Sequence, residues 1–115
     1  MKTLYELTLP HCDRHGNSLA EAHNAFHRFA LRSYGNCTIQ DVLTSWLADS
    51  EGNVETAQAR VYRVAADYGQ SDIAAGAQHY FPDIDQFWVS NLGTVEVIAQ
   101  GHRPAGVPFI NKEAA

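Results

Sequence analysis

Cysteine is scarce in this chain: Cys12 and Cys37 are the only two among 115 residues. Two separated thiols in a reducing compartment are expected to stay free, so the fold is not a disulfide scaffold. Long hydrophobic runs are missing as well. No stretch approaches the roughly 20 consecutive apolar residues that a membrane-spanning helix needs, and no membrane partner is expected. The opening segment Met1 to Pro10 has a single basic residue and Glu6 among its apolar positions, so it reads as a strand and not as a signal peptide, with a cytoplasmic location expected. Basic charge is also thin, with eight Lys and Arg against thirteen Asp and Glu, a formal net charge of −5 and no dense basic run. Binding to a phosphate backbone is driven by clustered cations that displace counterions, so nucleic acid is excluded as the main partner. Glycine-rich phosphate loops and a serine between glycines in a nucleophile elbow are absent, which leaves classical phosphoryl transfer and serine hydrolysis without support and calls for no cofactor.

What remains is an ordinary globular composition, 45% hydrophobic and 18% charged. The charged share is somewhat low and hints at an interface that is covered in the working protein. The length suits one domain with one core, expected over residues 1–100. Residues 101–115, with His102, Pro104, Gly106 and Pro108, are expected to form an irregular tail.

Side-chain periodicity divides that domain into six elements. From Leu4 to Leu9, Tyr5, Leu7 and Leu9 alternate with Leu4, Glu6 and Thr8, the period-two pattern of a strand with unlike faces. Pro10 ends it. Ser18 and Glu21 have the spacing of a capping box, and Leu19, Ala22, Phe26, Phe29 and Ala30 make the stripe of a helix that Gly35 stops. Period two returns from Cys37, with Ile39, Leu43 and Leu47 in one register and Val42, Thr44 and Trp46 in the other. Asp49 to Asn53 has hairpin-loop chemistry, and Val54 to Ala65 is the returning strand. On it Glu55, Ala57, Ala59, Val61 and Arg63 share one side, and Thr56, Gln58, Arg60, Tyr62 and Val64 the other. Ser71 is placed to cap a second helix bearing Ile73, Ala74, Ala77, Tyr80 and Phe81, closed by Pro82. Gln86 to Val89 and Thr94 to Ala99 are extended runs that form either one bulged strand or a tight hairpin.

The order predicts an α+β, ferredoxin-like βαββαβ two-layer sandwich, an antiparallel sheet with two helices on one face. Such a sheet leaves its other face uncovered. Val42, Thr44, Trp46 and Tyr62, or their facing alternates, would then meet water, and a large exposed apolar patch is rare on a monomer. Self-association as a homodimer or homotrimer resolves this.

Three groups of residues carry candidate chemistry. His23 and His27 lie one helical turn apart, close enough to share a metal ion, but Asn24 occupies the position where the zincin signature requires glutamate. Histidines flanking an apolar stripe are expected as partly exposed boundary residues, and no metal site is assigned. Glu55 opens the third strand near Trp46 across the hairpin. An aromatic face beside a carboxylate is a workable cradle for a cation, and a desolvated Glu55 would serve as a general base. Tyr62 and Glu96 are added as ligand-binding candidates on the sheet. Arg60 and Arg63 fit cross-strand ion pairs as readily as a site.

The succession of Tyr5-Glu6-Leu7, Asp13-Arg14-His15-Gly16-Asn17, Glu21-Ala22-His23 with Phe26, Gly35 with Thr38, Ser45-Trp46, Gly52 with Val54-Glu55, and Arg60-Val61-Tyr62 resembles a ferredoxin-like family of small uncharacterised bacterial and phage proteins. The hairpin, with an aromatic on its first strand and a glutamate opening its second, is also similar to the phage S-adenosylmethionine lyases. That resemblance implies an oligomer holding its sulfonium ligand between subunits, with Glu55 as acid/base group and Trp46 where the lyases have a tyrosine. Tryptophan offers a stacking face but no phenolic hydroxyl. The expected function is therefore a homo-oligomer that binds a small adenosyl or nucleotide-like metabolite near a subunit interface. Two alternatives stay open: a phage-type S-adenosylmethionine-cleaving lyase, and an interaction module of mobile-element origin without catalysis.

Overall fold

The apolar alternation of the first strand is satisfied in the computed structural model, which describes residues 1–47, 49–96 and 98. Tyr5, Leu7 and Leu9 of β1 (Lys2–Pro10) are buried, whereas Leu4, Glu6 and Thr8 between them are only partly covered. Five further elements follow: α1 (Ala20–Tyr34), β2 (Thr38–Leu47), β3 (Val54–Ala66), α2 (Gln70–Tyr80) and β4 (Trp88–Val95). The strands form one antiparallel sheet in the order β2-β3-β1-β4. This is the ferredoxin-like α+β fold. The tail expected at residues 101–115 lies outside the described residues.

Register decides which residues meet the helices. Leu7 stands opposite Tyr62 on one side and Val89 on the other, and Tyr62 stands opposite Ile39. All four therefore point to one face, where they meet Phe26 and Ala30 of α1, Ile73 and Ala77 of α2, and Phe81. Phe26 is the hub, with its ring edge-on to Tyr62 at 4.9 Å and to Phe81 at 5.8 Å. Each large apolar side chain buried in this way contributes about 1.5–3 kcal/mol.

Neither helix starts as its sequence suggests. α1 begins at Ala20 with Leu19 at the cap position and no side-chain cap. The capping box is not closed because the chain before the helix is already committed: Cys12 bridges Ser18, and Leu19 N donates to the His11 carbonyl at 2.8 Å. Ser18 Oγ instead accepts from Ala20 N at 3.2 Å. Gly69, in extended backbone, precedes α2, so Ser71 falls inside the first turn and does not cap. Gly35 ends α1 as expected, at φ 79°, with its N–H on the Leu31 carbonyl at 3.1 Å. Just beyond, Asn36 imitates a strand residue: its side chain donates to the Ala65 carbonyl and accepts from the Ala65 N–H, both at 2.8 Å. Of the two readings left open for the last strand, the structure takes the single strand, whose register against β1 shifts between Thr3 and Tyr5.

One five-residue loop is used twice. In Asp13-Arg14-His15-Gly16-Asn17 and in Asp49-Ser50-Glu51-Gly52-Asn53 the aspartate Oδ1 accepts the N–H groups two and four residues on, and its Oδ2 accepts from the asparagine amide. Gly16 and Gly52 hold φ of 83° and 87°, a left-handed conformation that side chains disfavour. These bonds hold both aspartate pKa values below the ordinary carboxylate range, led by the Asn17 N–H for Asp13 and the Asn53 amide for Asp49.

β1 runs out at Pro10, opposite Ala59. The His11 N–H still reaches the Gln58 carbonyl, but Val54 to Ala57 of β3 pair only with Thr44 to Leu47 of β2, a two-stranded arm that overhangs the sheet by about 14 Å.

Candidate functional site

The free face of the sheet carries the even-numbered residues of β1 and β2 and the odd-numbered residues of β3, as the register requires. It is not uniformly apolar. Across its middle Arg63 Nε donates to Glu6 Oε2 at 2.8 Å and Nη1 to Gln40 Oε1 at 3.3 Å. Toward the arm the face changes to Val61, Ala59, Ala57, Val42, Thr44 and the two tryptophans. Val61 and Ala59 are buried, although their register turns them away from the helices.

Where β1 stops, the arm and the loop before β4 enclose a groove of about 640 Å³. Trp46 and Glu55, opposite each other in the hairpin, form one end, and Trp88, opposite Thr8, the other. Pro10, Ala57 and Ala59 lie between. From Glu55 to Val61, the level of Trp88, is six residues, so the tryptophans stand about 20 Å apart along the strands. A single ring does not reach both. The groove suits an elongated guest, and its lining is acidic: Asp13, Glu55 and Asp85 against Arg14, which is itself drawn to Asp85 at 3.6 Å. A smaller cavity of about 430 Å³ behind Ile84 to Gln86 shares those loop residues.

The sequence-predicted site residues separate. Trp46 and Glu55 are neighbours, both exposed in the protomer. The desolvation that would make Glu55 a base is therefore not present in one copy alone. Tyr62 is not a groove residue and does not meet water with Trp46. It lies on the opposite face, wholly buried under α1, because its position opposite Leu7 and Ile39 turns it to the helices. Glu96 follows the end of β4, where Val95 pairs with Lys2, at the far end of the sheet from the arm. Thr44 was placed beside Trp46 on the uncovered face, as found, but Trp88 and the loop before β4 were not picked out in the sequence. Only the antiparallel pairing of β4 with β1 brings Trp88 into the groove, and no local spacing signals it.

Beneath the sheet lies a second polar cluster. His23, expected at a boundary, is 1% exposed, since its place between Leu19 and Phe26 on the stripe turns it inward. Its Nε2 is 2.8 Å from the Pro10 carbonyl, which can only accept, so this nitrogen carries the proton. Nδ1 then accepts from the Tyr62 hydroxyl at 2.6 Å. Burial pushes the Tyr62 pKa up to about 12 and that of His23 down, the latter helped by Arg60 and His11 and opposed by the Pro10 carbonyl. Both His23 nitrogens are thus engaged, and among the described residues no group of three or more His, Cys, Asp or Glu stands ready to hold a metal ion. Arg60 Nε donates to Asp41 Oδ1 at 2.8 Å, and His11 Nε2 to the same oxygen at 3.1 Å. The expected cross-strand ion pairs are therefore formed, Arg60 with Asp41 and Arg63 with Glu6. Cys12 and Cys37 are both free, and burial raises the Cys37 thiol to about 11. No described helix is long and apolar enough to cross a membrane.

No protein-family model matches the chain, and no curated protein does either. Among solved structures it is similar to the periplasmic divalent cation tolerance protein CutA from Archaeoglobus fulgidus, with a TM-score of 0.62 and 13% identity over 85% of this chain and 88% of that one. A B. subtilis GlnK–ATP complex aligns over 79% of this chain and 84% of its own, with a TM-score of 0.44 and 7% identity. The first likeness is one of fold, and agrees with the βαββαβ order read from the elements. The second is too distant to add to it.

Proposed function

We propose that this protein is a homo-oligomer that binds a small, elongated metabolite of the adenosyl type in the groove between Trp46 and Trp88. The observation that carries the reading is the groove itself, which joins an aromatic face at each end to an acidic lining. A tryptophan face stacks on a purine and attracts a cation, whereas three carboxylates and one compromised arginine repel a polyphosphate. An adenosyl sulfonium or a neutral nucleoside fits this chemistry better than a nucleotide triphosphate.

Self-association follows from the arm. A two-stranded ribbon is marginal by itself in water, and this one exposes Leu43, Leu47 and Val54 on one face and Trp46 on the other. A second copy that covers the arm would also desolvate Glu55. The divalent cations in the name of the A. fulgidus neighbour find no three-donor group among the described residues to hold them.

The test is a thermal-shift and calorimetric panel of S-adenosylmethionine, S-adenosylhomocysteine, adenosine and ATP. A ligand that binds the native state raises its melting temperature, and S-adenosylmethionine is expected to do so more than ATP. Trp46→Ala should weaken binding about tenfold, the scale of one base–aromatic stack. No stabilisation by any of the four overturns the reading and leaves an interaction module. Light scattering that finds only monomers at high concentration removes the interface. The lyase is a narrower form of the same site, and product formation retained in Glu55→Gln removes its acid/base role.

A further inference from the structure

The His23 cluster has no part in the groove reading, yet it is tied to the groove's wall. Pro10 and His11 line the groove from the end of β1, and Pro10 gives its carbonyl to His23 on the other side of the sheet. His11 holds this corner three more times: its N–H donates to the Gln58 carbonyl at 3.1 Å, its own carbonyl accepts from Leu19 N at 2.8 Å, and its ring nitrogen donates to Asp41. We propose that His23 is a proton-sensitive latch on the corner between β1 and α1: neutral, it holds Pro10 and His11 in place, and on protonation the corner opens.

The surroundings of His23 determine the direction. From β1 the His11 ring lies 5.3 Å away, and from β3 Tyr62 donates to Nδ1 with Arg60 behind it. From β2 Asp41 faces both Arg60 and His11, and from the end of α2 the Phe81 ring covers the site at 4.8 Å without any charge. A proton added to Nδ1 turns it from acceptor to donor against the Tyr62 hydroxyl, whose other acceptor, the His23 carbonyl, is 3.4 Å away. A protonated His23 then stands with the Arg60 guanidinium against the single carboxylate of Asp41. An imidazolium shut away from water beside the Arg60 guanidinium is expensive, and hydrating it requires the packing around it, the His11 ring at 5.3 Å included, to loosen. A neutral His23 loses nothing by staying buried, since both nitrogens are bonded.

The latch stands whether or not the groove takes an adenosyl ligand, because its readout needs none. The experiment combines proton-detected titration of the histidine rings with amide exchange of the full chain between about pH 7 and 5, around the ordinary histidine value. The His23 ring is expected to start as the Nε2–H tautomer and to titrate below the ordinary histidine value. As it does so, the protection factors of the His11 and Leu19 amides should fall at least tenfold, while those of Tyr5 and Leu7 in mid-strand hold. His23→Gln should abolish the pH dependence of that protection. His11→Gln, on the partly exposed ring, keeps the test alive should the buried variant fail to fold: without the ring bond to Asp41 that helps to hold the corner, the opening should move to higher pH. The proposal is overturned if His23 titrates with the corner amides still protected, or if those amides open with the same pH dependence in either variant.

Discussion

Replacing Tyr62 by phenylalanine keeps the ring that packs edge-on against Phe26 at 4.9 Å and removes one oxygen. That oxygen donates to His23 Nδ1 at 2.6 Å, and His23 is 1% exposed, so no water replaces the lost donor. The cost is that of a buried acceptor left unpaired, about 1–3 kcal/mol. Tyr5 provides an internal comparison. Its hydroxyl donates to the Tyr68 carbonyl at 2.7 Å in a part-buried setting beside an exposed residue, where water can take its place. Tyr5→Phe should therefore cost only about 0.5–1.5 kcal/mol. Urea denaturation of the three proteins at one concentration, with equal m values, measures both differences. For a domain of this size roughly 4 °C of melting temperature accompanies each kcal/mol, so Tyr62→Phe should melt about 4–12 °C lower. If it matches Tyr5→Phe, or falls within ~0.5 kcal/mol of the parent, the Tyr62–His23 bond does not have the role assigned to it.

Four further outcomes are expected. Asn36→Ala strips both partners from the Ala65 peptide and should cost about 1–3 kcal/mol in the same assay, with faster exchange of the Ala65 amide. Gly76→Ala, a change that gains about 1 kcal/mol in an open helix, should gain nothing by melting temperature, because the new methyl would sit 3.1 Å from Phe29 and 3.2 Å from the Tyr34 hydroxyl. Leu47→Asp, at an exposed arm position outside the core, should shift the protein toward monomer in sedimentation while leaving the protomer's near-UV spectrum unchanged. Acid titration of stability should show two stages. The native pKa of His23 is lowered, so its share of stability is complete above the ordinary value of about 6.5 and declines as the pH falls below it. Asp13, Asp41 and Asp49, also lowered, keep their share until the pH falls below about 4. A single stage below about 4 would contradict the neutral, buried His23.

Much of the architecture was legible along the chain, because strand and helix periods are local properties of which side chains need burial. Tyr5, Leu7 and Leu9 announced the inner face of β1, Phe26 and Ala30 the inner stripe of α1, and Gly35 its end. The helix starts were misread for a physical reason. A cap is a competition for backbone donors, and at Ser18 and Leu19 the winners were His11 and Cys12, brought in by the loop between them. Glu55 and Trp46 were legible as neighbours, since a hairpin register is short-range. Tyr62 was named with Val42, Thr44 and Trp46, or their facing alternates, for the wet face, and its alternation with Val61 and Arg63 was correct: the pattern separates two faces without saying which one the helices cover.

The one-dimensional pattern was thus enough to specify six elements, their order and two unlike sheet faces, all consequences of side chains two or three to four residues apart. Which face is covered, that Trp88 joins Trp46 around one groove, and that His23 meets Tyr62, Pro10 and His11 inside the core depend on pairings such as β1 with β4 and α1 with β3. Those are set by how the whole chain packs, and residues that meet only through such packing leave no mark in their own neighbourhood of the sequence.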